Sequence, residues 1–168
     1  MSLPTTCTPR GRWIYGRYVK AYGSVTSNKS HIYEVVSVGT GLPTDPTDPE
    51  YLAPGDLVVI NPAHTVQVGT SYALIDFDNG LYAKWNPTFD EPITLYSTIY
   101  CEANAYQDDQ GVGWLGDLMQ CNVLAVDPAI TDIAVNDTIM VPKRYAVQVG
   151  YRVNTRFLVR AEHVVAKC

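Results

Sequence analysis

Leu52–Val68 reads LAPGDLVVINPAHTVQV, and 81 positions later Ile133–Val149 reads IAVNDTIMVPKRYAVQV. Asp56 falls on Asp137, and Val66-Gln67-Val68-Gly69 falls on Val147-Gln148-Val149-Gly150, with no gap between those anchors. Upstream, Tyr33–Gly39 (YEVVSVG) matches Cys121–Asp127 (CNVLAVD) at 88 positions, so the first copy carries a loop seven residues longer. Downstream, Ala73-Leu74-Ile75 is set against Arg156-Phe157-Leu158 and Ala83-Lys84 against Ala166-Lys167, both at 83 positions. Blocks in one order, separated by loops of unequal length, mark a duplicated domain and not a short-period solenoid.

A chain of 168 residues then divides into two units of about 80 each. A unit of that size buries only about 60–65% of its unfolded surface, so the halves are expected to pack on each other or on neighbouring molecules. Charged residues make up 17%, against a usual value of about 25%, while the 12 Tyr, 12 Gly and 11 Pro suit strands and tight turns, so the fold class is all-β. The net charge of −5 comes without a basic tract, which speaks against a nucleic-acid partner. Arg10, Arg12, Arg17 and Lys20 gather near the start, and are read as a solvated edge. No apolar run reaches the 18–20 residues of a membrane span, and MSLPTTCTPRGR lacks the hydrophobic core of a signal peptide, so a protein made in a cytoplasm and without a membrane partner is expected.

The cysteines are Cys7, Cys101, Cys121 and Cys168, with no CxxC and no Cys/His cluster. Cys101 and Cys121 fall within apolar strands and are expected to be buried and inert. Cys7 and Cys168 lie near the chain ends, where a thiol has little packing role, and are the candidates for interchain disulfides once the protein leaves a reducing compartment.

Along the chain, residues 1–12, with Pro4 and Pro9, read as an extended arm; 13–86 as the first unit; 87–92 as a linker; and 93–168 as the second unit. Trp13–Tyr22 is expected to be a strand with a bulge or bend at Gly16, Gly23–Ser30 a polar turn, and Ile32–Val38 a strand closed by the Gly39-Thr40-Gly41 turn. Leu42–Tyr51, with three prolines and three acids, reads as a solvated loop, since the spacing of a calcium loop is missing. Leu57–Ile60 is an apolar strand buried on both faces, Thr65–Val68 alternates as if one face were buried, and Asp78-Asn79-Gly80 reads as a hairpin tip between two strands. A strand over Ile93–Ala105 opens the second unit, followed by a long loop, Tyr106–Gln120, whose apolar centre contains Val112, Trp114 and Leu115. That centre is the candidate partner-binding element, with a plain covering role as the alternative.

The series VVSVGTG, APGDLVVI, VQV and YALIDFDNGLYAKW resembles the co-chaperonin (GroES-type) family, which shows a Val-Gly-x-Gly turn, a Gly-Asp turn before an apolar strand, and a closing segment of this type. The resemblance covers about two thirds of each half. It implies a small, partly open β-barrel in each half, so the expected architecture is two tandem barrels related by internal duplication. The second copy departs from the pattern with Asp127 in place of Gly39 and Asn136 in place of Gly55. A co-chaperonin meets its ring-shaped partner through a long glycine-rich loop between its first two strands, and the segment Gly23–Ser30 is too short and polar to be that loop.

An enzyme is not expected: His31, His64 and His163 are scattered, and no nucleophile or carboxylate pair is placed by a motif. His64 and His163 read as exposed, and Asp56 and Asp137, at equivalent turns, read as turn caps. No cofactor or metal is called for. Two binding readings stand. One is a bacteriophage virion subunit, a capsid decoration or cement protein that forms homo-oligomers or binds a capsid protein. The alternative is a cytoplasmic tandem co-chaperonin that caps a chaperonin ring.

Overall fold

The structure, a computed structural model, describes residues 8–22, 28–103, 106–108, 111–113, 118–149 and 155–168. The chain divides into two compact units, Met1–Ala21 with Ser30–Tyr96, and Tyr22–Lys29 with Ser97–Cys168. The first unit is built from β1 (Trp13–Tyr22), β2 (Asn28–Val38), β3 (Leu57–Ile60), β4 (Thr65–Val68), β5 (Tyr72–Asp76), a helical turn α1 (Phe77–Gly80), β6 (Leu81–Asn86) and β7 (Glu91–Leu95). Its antiparallel strands follow the hydrogen-bonded order β4-β5-β1-β2-β3-β6-β7. The second unit holds β8 (Thr98–Ala103), β9 (Tyr106–Asp108), β10 (Gly111–Gly113), β11 (Leu118–Val126), β12 (Thr138–Pro142), β13 (Val147–Gln148), β14 (Arg156–Arg160) and β15 (Ala166–Lys167). Here the order is β13-β14-β8-β11-β12-β15, with β9 and β10 forming a separate hairpin. Asn28 and Lys29, grouped with this unit, run parallel to Val147 and Gln148. The all-β expectation holds, but no described pairing joins β4 to β7 or β13 to β15, so neither sheet closes on itself.

Strand by strand, the second order repeats the first, and the registers repeat with it. Tyr33↔Val58 between β2 and β3 answers to Cys121↔Ile139 between β11 and β12, at the expected 88 and 81 positions. Ile14↔Ile75 answers to Ile99↔Val159, which sets β5 and β14 84 positions apart, where the sequence comparison put 83. At the last strand 83 does hold, because Val58↔Lys84 answers to Ile139↔Lys167. The one-residue difference falls between β5 and β6, where α1 has four residues and its counterpart, the 3-10 turn Ala161–His163, has three. Both turns satisfy the same backbone bond, Phe77 N–H to Arg12 O and Ala161 N–H to Ser97 O, at 3.1 Å each.

Four local expectations are corrected. Gly16 makes no bulge: it pairs in register with Ala73, and a Cβ there would lie 3.1 Å from Ile75 and 3.2 Å from Tyr33, so glycine serves close packing. Asp78-Asn79-Gly80 is the body of α1 and not a two-residue hairpin tip, because Asp76 caps the turn by accepting the Asp78 N–H. Asn28–Ser30 belong to β2 instead of a turn. The expected strand Ile93–Ala105 is split at Ser97, whose φ is 54°: Glu91–Leu95 pairs with β6 in the first unit, and Thr98–Ala103 belongs to the second. The loop Leu42–Tyr51 is fixed at both ends, since Leu42 and Leu52 are buried in the first core and Tyr96 Oη donates to Pro49 O at 3.1 Å.

The Gly39 turn explains where the copies diverge. Gly39 N–H donates to Trp13 O, Gly41 N–H to Gly11 O, and a Cβ on Gly39 would sit 2.1 Å from the Gly11 carbonyl oxygen. In the second unit the position is Asp127, whose carboxylate accepts the N–H groups of Ser97 (2.7 Å) and Ala129 (3.1 Å). Gly39→Ala is therefore expected to cost stability at the upper end of about 1–3 kcal/mol by forced overpacking. Asp127→Ala, which removes hydrogen bonds only, should cost about 1 kcal/mol; equal losses in urea titrations would contradict the steric account.

Candidate assembly surfaces

The paired aspartates sit where a turn meets three strands. Asp56 Oδ2 accepts Ala53 N–H at 2.8 Å and lies 3.2 Å from Lys84 Nζ on β6. Asp137 Oδ2 accepts Ala134 N–H at 2.8 Å and lies 3.4 Å from Lys167 Nζ on β15. The backbone repeats too: Val35 N–H donates to Asp56 O and Gly55 N–H to Val35 O, matched by Val123 to Asp137 and Asn136 to Val123. Gly55 and Asn136 both take positive φ, 95° and 76°, and Asn replaces Gly there because its short polar side chain tolerates that region. The role as turn caps is thus visible in both copies. The Asp137 carboxyl is held below the ordinary value of 3.8, first by the Ala134 N–H and then by Lys167.

The histidines lie apart. His64 is exposed at the end of the 3-10 turn Pro62–His64. His163, expected to be exposed, is half-buried, with its ring stacked on Tyr145 at 4.0 Å and 11° between planes. The signal that sequence reading missed is the pairing of two short turns, Lys143–Tyr145 and Ala161–His163, whose counterparts bring His64 Cβ within 3.2 Å of where a Cβ on Gly80 would stand. The acids Asp45 and Asp48 accept N–H groups of Thr47 and Glu50 within their own loop. Among the described residues, no group of three His, Cys, Asp or Glu side chains is placed to hold a metal ion. No helix among them is long and apolar enough to cross a membrane.

What distinguishes the two units is which equivalent surfaces are covered. Thr65–Val68, expected to bury one face, buries neither, and Val66 is 55% exposed; its counterpart Val147 is 6% exposed. At the opposite edge the contrast reverses. Ala83 and Trp85 on β6 are buried beside β7, whereas Ala166, Lys167 and Cys168 are exposed and Val165 is 60% exposed. Phe89 and Ile93, around β7, are 67% and 59% exposed.

Of the residues singled out from sequence, Val112 lies in β10, opposite Gln107, while Trp114 and Leu115 lie outside the described residues, as does Cys7. Cys168 is exposed and free; Cys101 and Cys121 are free and buried. Cys101 lies opposite Val123, and Cys121 opposite Ala103, so the two thiols are diagonal neighbours on one face. The Cys101 thiol is pushed up from its ordinary value, first by its hydrogen bond with Cys121 and then by burial, and it donates to Phe157 O at 3.7 Å. In the first unit the same positions are Gly16 and Tyr33, so the thiols fill space that a tyrosine ring fills in the other copy. No protein-family model matches the chain, and no curated protein matches it.

Two outcomes follow. Because the folded Asp137 carboxyl is depressed, its stabilising contribution is complete above the ordinary 3.8 and is lost as the pH falls through the lower folded value. The melting-temperature gap between wild type and Asp137→Ala should therefore narrow only below that point, and a gap independent of pH down to full protonation would contradict it. In native protein, maleimide should modify Cys168 within minutes and reach Cys101 and Cys121 only after denaturation, read by mass spectrometry of the labelled peptides.

Proposed function

We propose that the chain is a non-enzymatic structural subunit, a decoration or cement protein of a bacteriophage particle, that assembles with copies of itself or with a capsid protein. The observation that carries this reading is the unequal covering of equivalent surfaces: among the described residues, Val66 on β4 is 55% exposed, while its counterpart Val147 is 6% exposed. β4, Thr-Val-Gln-Val, ends the described strand order and carries no charge or proline, and an edge strand of that kind recruits further chains where soluble monomers ordinarily blunt it with charge, proline or bulges. The repeated strand order and matched registers support descent of both units from one co-chaperonin-like, partly open barrel by tandem duplication. Fold alone does not give function, so the weight rests on the surfaces.

A second reading, a tandem co-chaperonin capping a chaperonin ring, is favoured by one feature. The β9–β10 hairpin fills the β8–β11 connection, the place where that family carries its ring-binding loop, and Val112 lies in it. Val112, Trp114 and Leu115 are its contact residues in this reading. The virion reading places the working protein on the particle after synthesis in the host cytoplasm; the second keeps it cytoplasmic.

The two separate in one set of measurements. Native mass analysis of the purified protein should show concentration-dependent assembly, weakened tenfold or more by Val66→Asp, with no complex on addition of chaperonin and ATP. A stable ring complex lost in Trp114→Ala with Leu115→Ala would overturn the virion reading, and a strict monomer at all concentrations would remove self-assembly.

A further inference from the structure

The strand order of the first unit has two ends, β7 and β4, and they are built differently. β7 carries Glu91 and Pro92, and its register on β6 shifts between Lys84 and Trp85. Charge, proline and bulges are the means by which an edge strand is kept from pairing with another chain. β4 has none of them. Thr65-Val66-Gln67-Val68 pairs with β5 in unbroken register and, among the described residues, with nothing on its other side.

The equivalent edge in the second unit is occupied. There Asn28 and Lys29 run alongside Val147 and Gln148 as an added strand, and Val147, Gln148 and Val149 are 6%, 8% and 0% exposed. Their counterparts are uncovered: Val66 is 55% exposed, Gln67 is exposed and Val68 is half-buried. This edge of the repeated fold is thus one that takes a further strand.

We propose that the β4 edge is filled by β4 of a second copy of this chain, the two strands running antiparallel about a two-fold axis at Gln67. The inference rests on the self-assembly reading above and gives that reading a geometry. Two features select a second copy as the occupant. The first is that Val66-Gln67-Val68 reads the same from either end. An antiparallel pair centred on Gln67 sets Val66 of each copy opposite Val68 of the other, and Gln67 opposite Gln67. Directly opposed residues share a face, so the valines of both copies meet on one side of the sheet. The second feature is charge. Residues 57–75, between Asp56 and Asp76, are the longest stretch of the chain without Asp, Glu, Lys or Arg, and they include β4 and β5 as far as Ile75. Copies of a chain with a net charge of −5 repel one another, and along this hairpin two of them meet without setting like charges face to face.

The strand is held ready for such a partner. Gln67 lies opposite Ala73, and its Nε2 donates to Tyr33 Oη at 3.2 Å, so its side chain is turned to the face of the first core, which contains both residues. Val66 and Val68 take the other face, beside Leu74 and Tyr72 of β5, where the Tyr72 ring stacks on Tyr15 at 5.3 Å and 11° between planes. Across the axis this apolar surface becomes continuous, while alternate residues of the two strands exchange backbone hydrogen bonds. Because both copies use the same strand, the contact is isologous and closes at two chains.

The test needs no variant at its first step. Wild type should pass from monomer to dimer as its concentration rises, read by native mass analysis, and the backbone amides of Val66–Val68 should gain at least tenfold protection from hydrogen exchange over the same range. A charge swap then checks the register. Val66→Asp and Val68→Lys should each weaken dimerisation at least tenfold, and an equimolar mixture should return to within threefold of wild type as a mixed dimer. In that dimer the introduced carboxylate of one copy faces the introduced amine of the other. A dimer whose Val66–Val68 amides stay unprotected, or a mixture no better than either variant alone, overturns the β4 pairing and leaves self-assembly standing. Protein that stays monomeric removes both, and if its Val66–Val68 amides are protected only in purified particles, the edge belongs to a capsid chain.

Discussion

The fold depends on one carboxylate per copy, set where β2 turns toward β3 and where β11 turns toward β12. The backbone of Asp56 receives the Val35 N–H while Val35 receives the Gly55 N–H, so the turn is bolted to β2 from both sides. The side chain then ties the turn to its own start at Ala53 and to Lys84 two strands along the sheet from β2. A one-residue slip between β2 and β3 would turn Val58 and Ile60 from the core toward the opposite face. The aspartate turn therefore fixes which residues of β3 enter that core. Its recurrence at Asp137, with Lys167 in the place of Lys84, shows the same constraint solving the same problem twice.

Around that shared frame, the two cores exchange volume. Gly16, Tyr33 and Ala73 in one unit correspond to Cys101, Cys121 and Phe157 in the other: a ring moves from β2 to β14, and small side chains move the opposite way. Interiors packed to crystal-like density accept such swaps only when the sum of volumes is kept. The buried thiols are part of this balance. The Gly39 turn differs in the same way, since glycine is required where Gly11 O approaches, while Asp127 at the matching position holds the Ser97 N–H through its carboxylate.

The strand blocks were legible because antiparallel pairing writes itself into sequence as turn chemistry plus apolar runs. The offsets of 88 and 81 positions match the registers of β2–β3 and β11–β12. The offset at β5 was misjudged by one, because the length difference lies inside a short turn whose residues, Phe77–Gly80 and Ala161–His163, share no pattern that would place a gap. Ser97 was invisible for a related reason: a serine at φ 54° is unusual, and the groups that hold it, the Asp127 carboxylate on its N–H and the Ala161 N–H on its carbonyl, come from distant turns. Burial of the Val-Gln-Val strand was misread because alternation reports a possible buried face, not whether another element covers it.

The sequence by itself determined the repeated all-β strand order, the aspartate turns and the burial of Cys101 and Cys121, since these follow from local backbone preference and the removal of apolar side chains from water. Only the tertiary structure decided that Glu91–Leu95 pairs with β6 in the first unit, and that Val66 is open where Val147 is closed. The physical reason is that two nearly identical strands differ in neighbours, not in residues. Coverage of an edge is a property of what packs beside it, and a pattern within the strand carries no record of that.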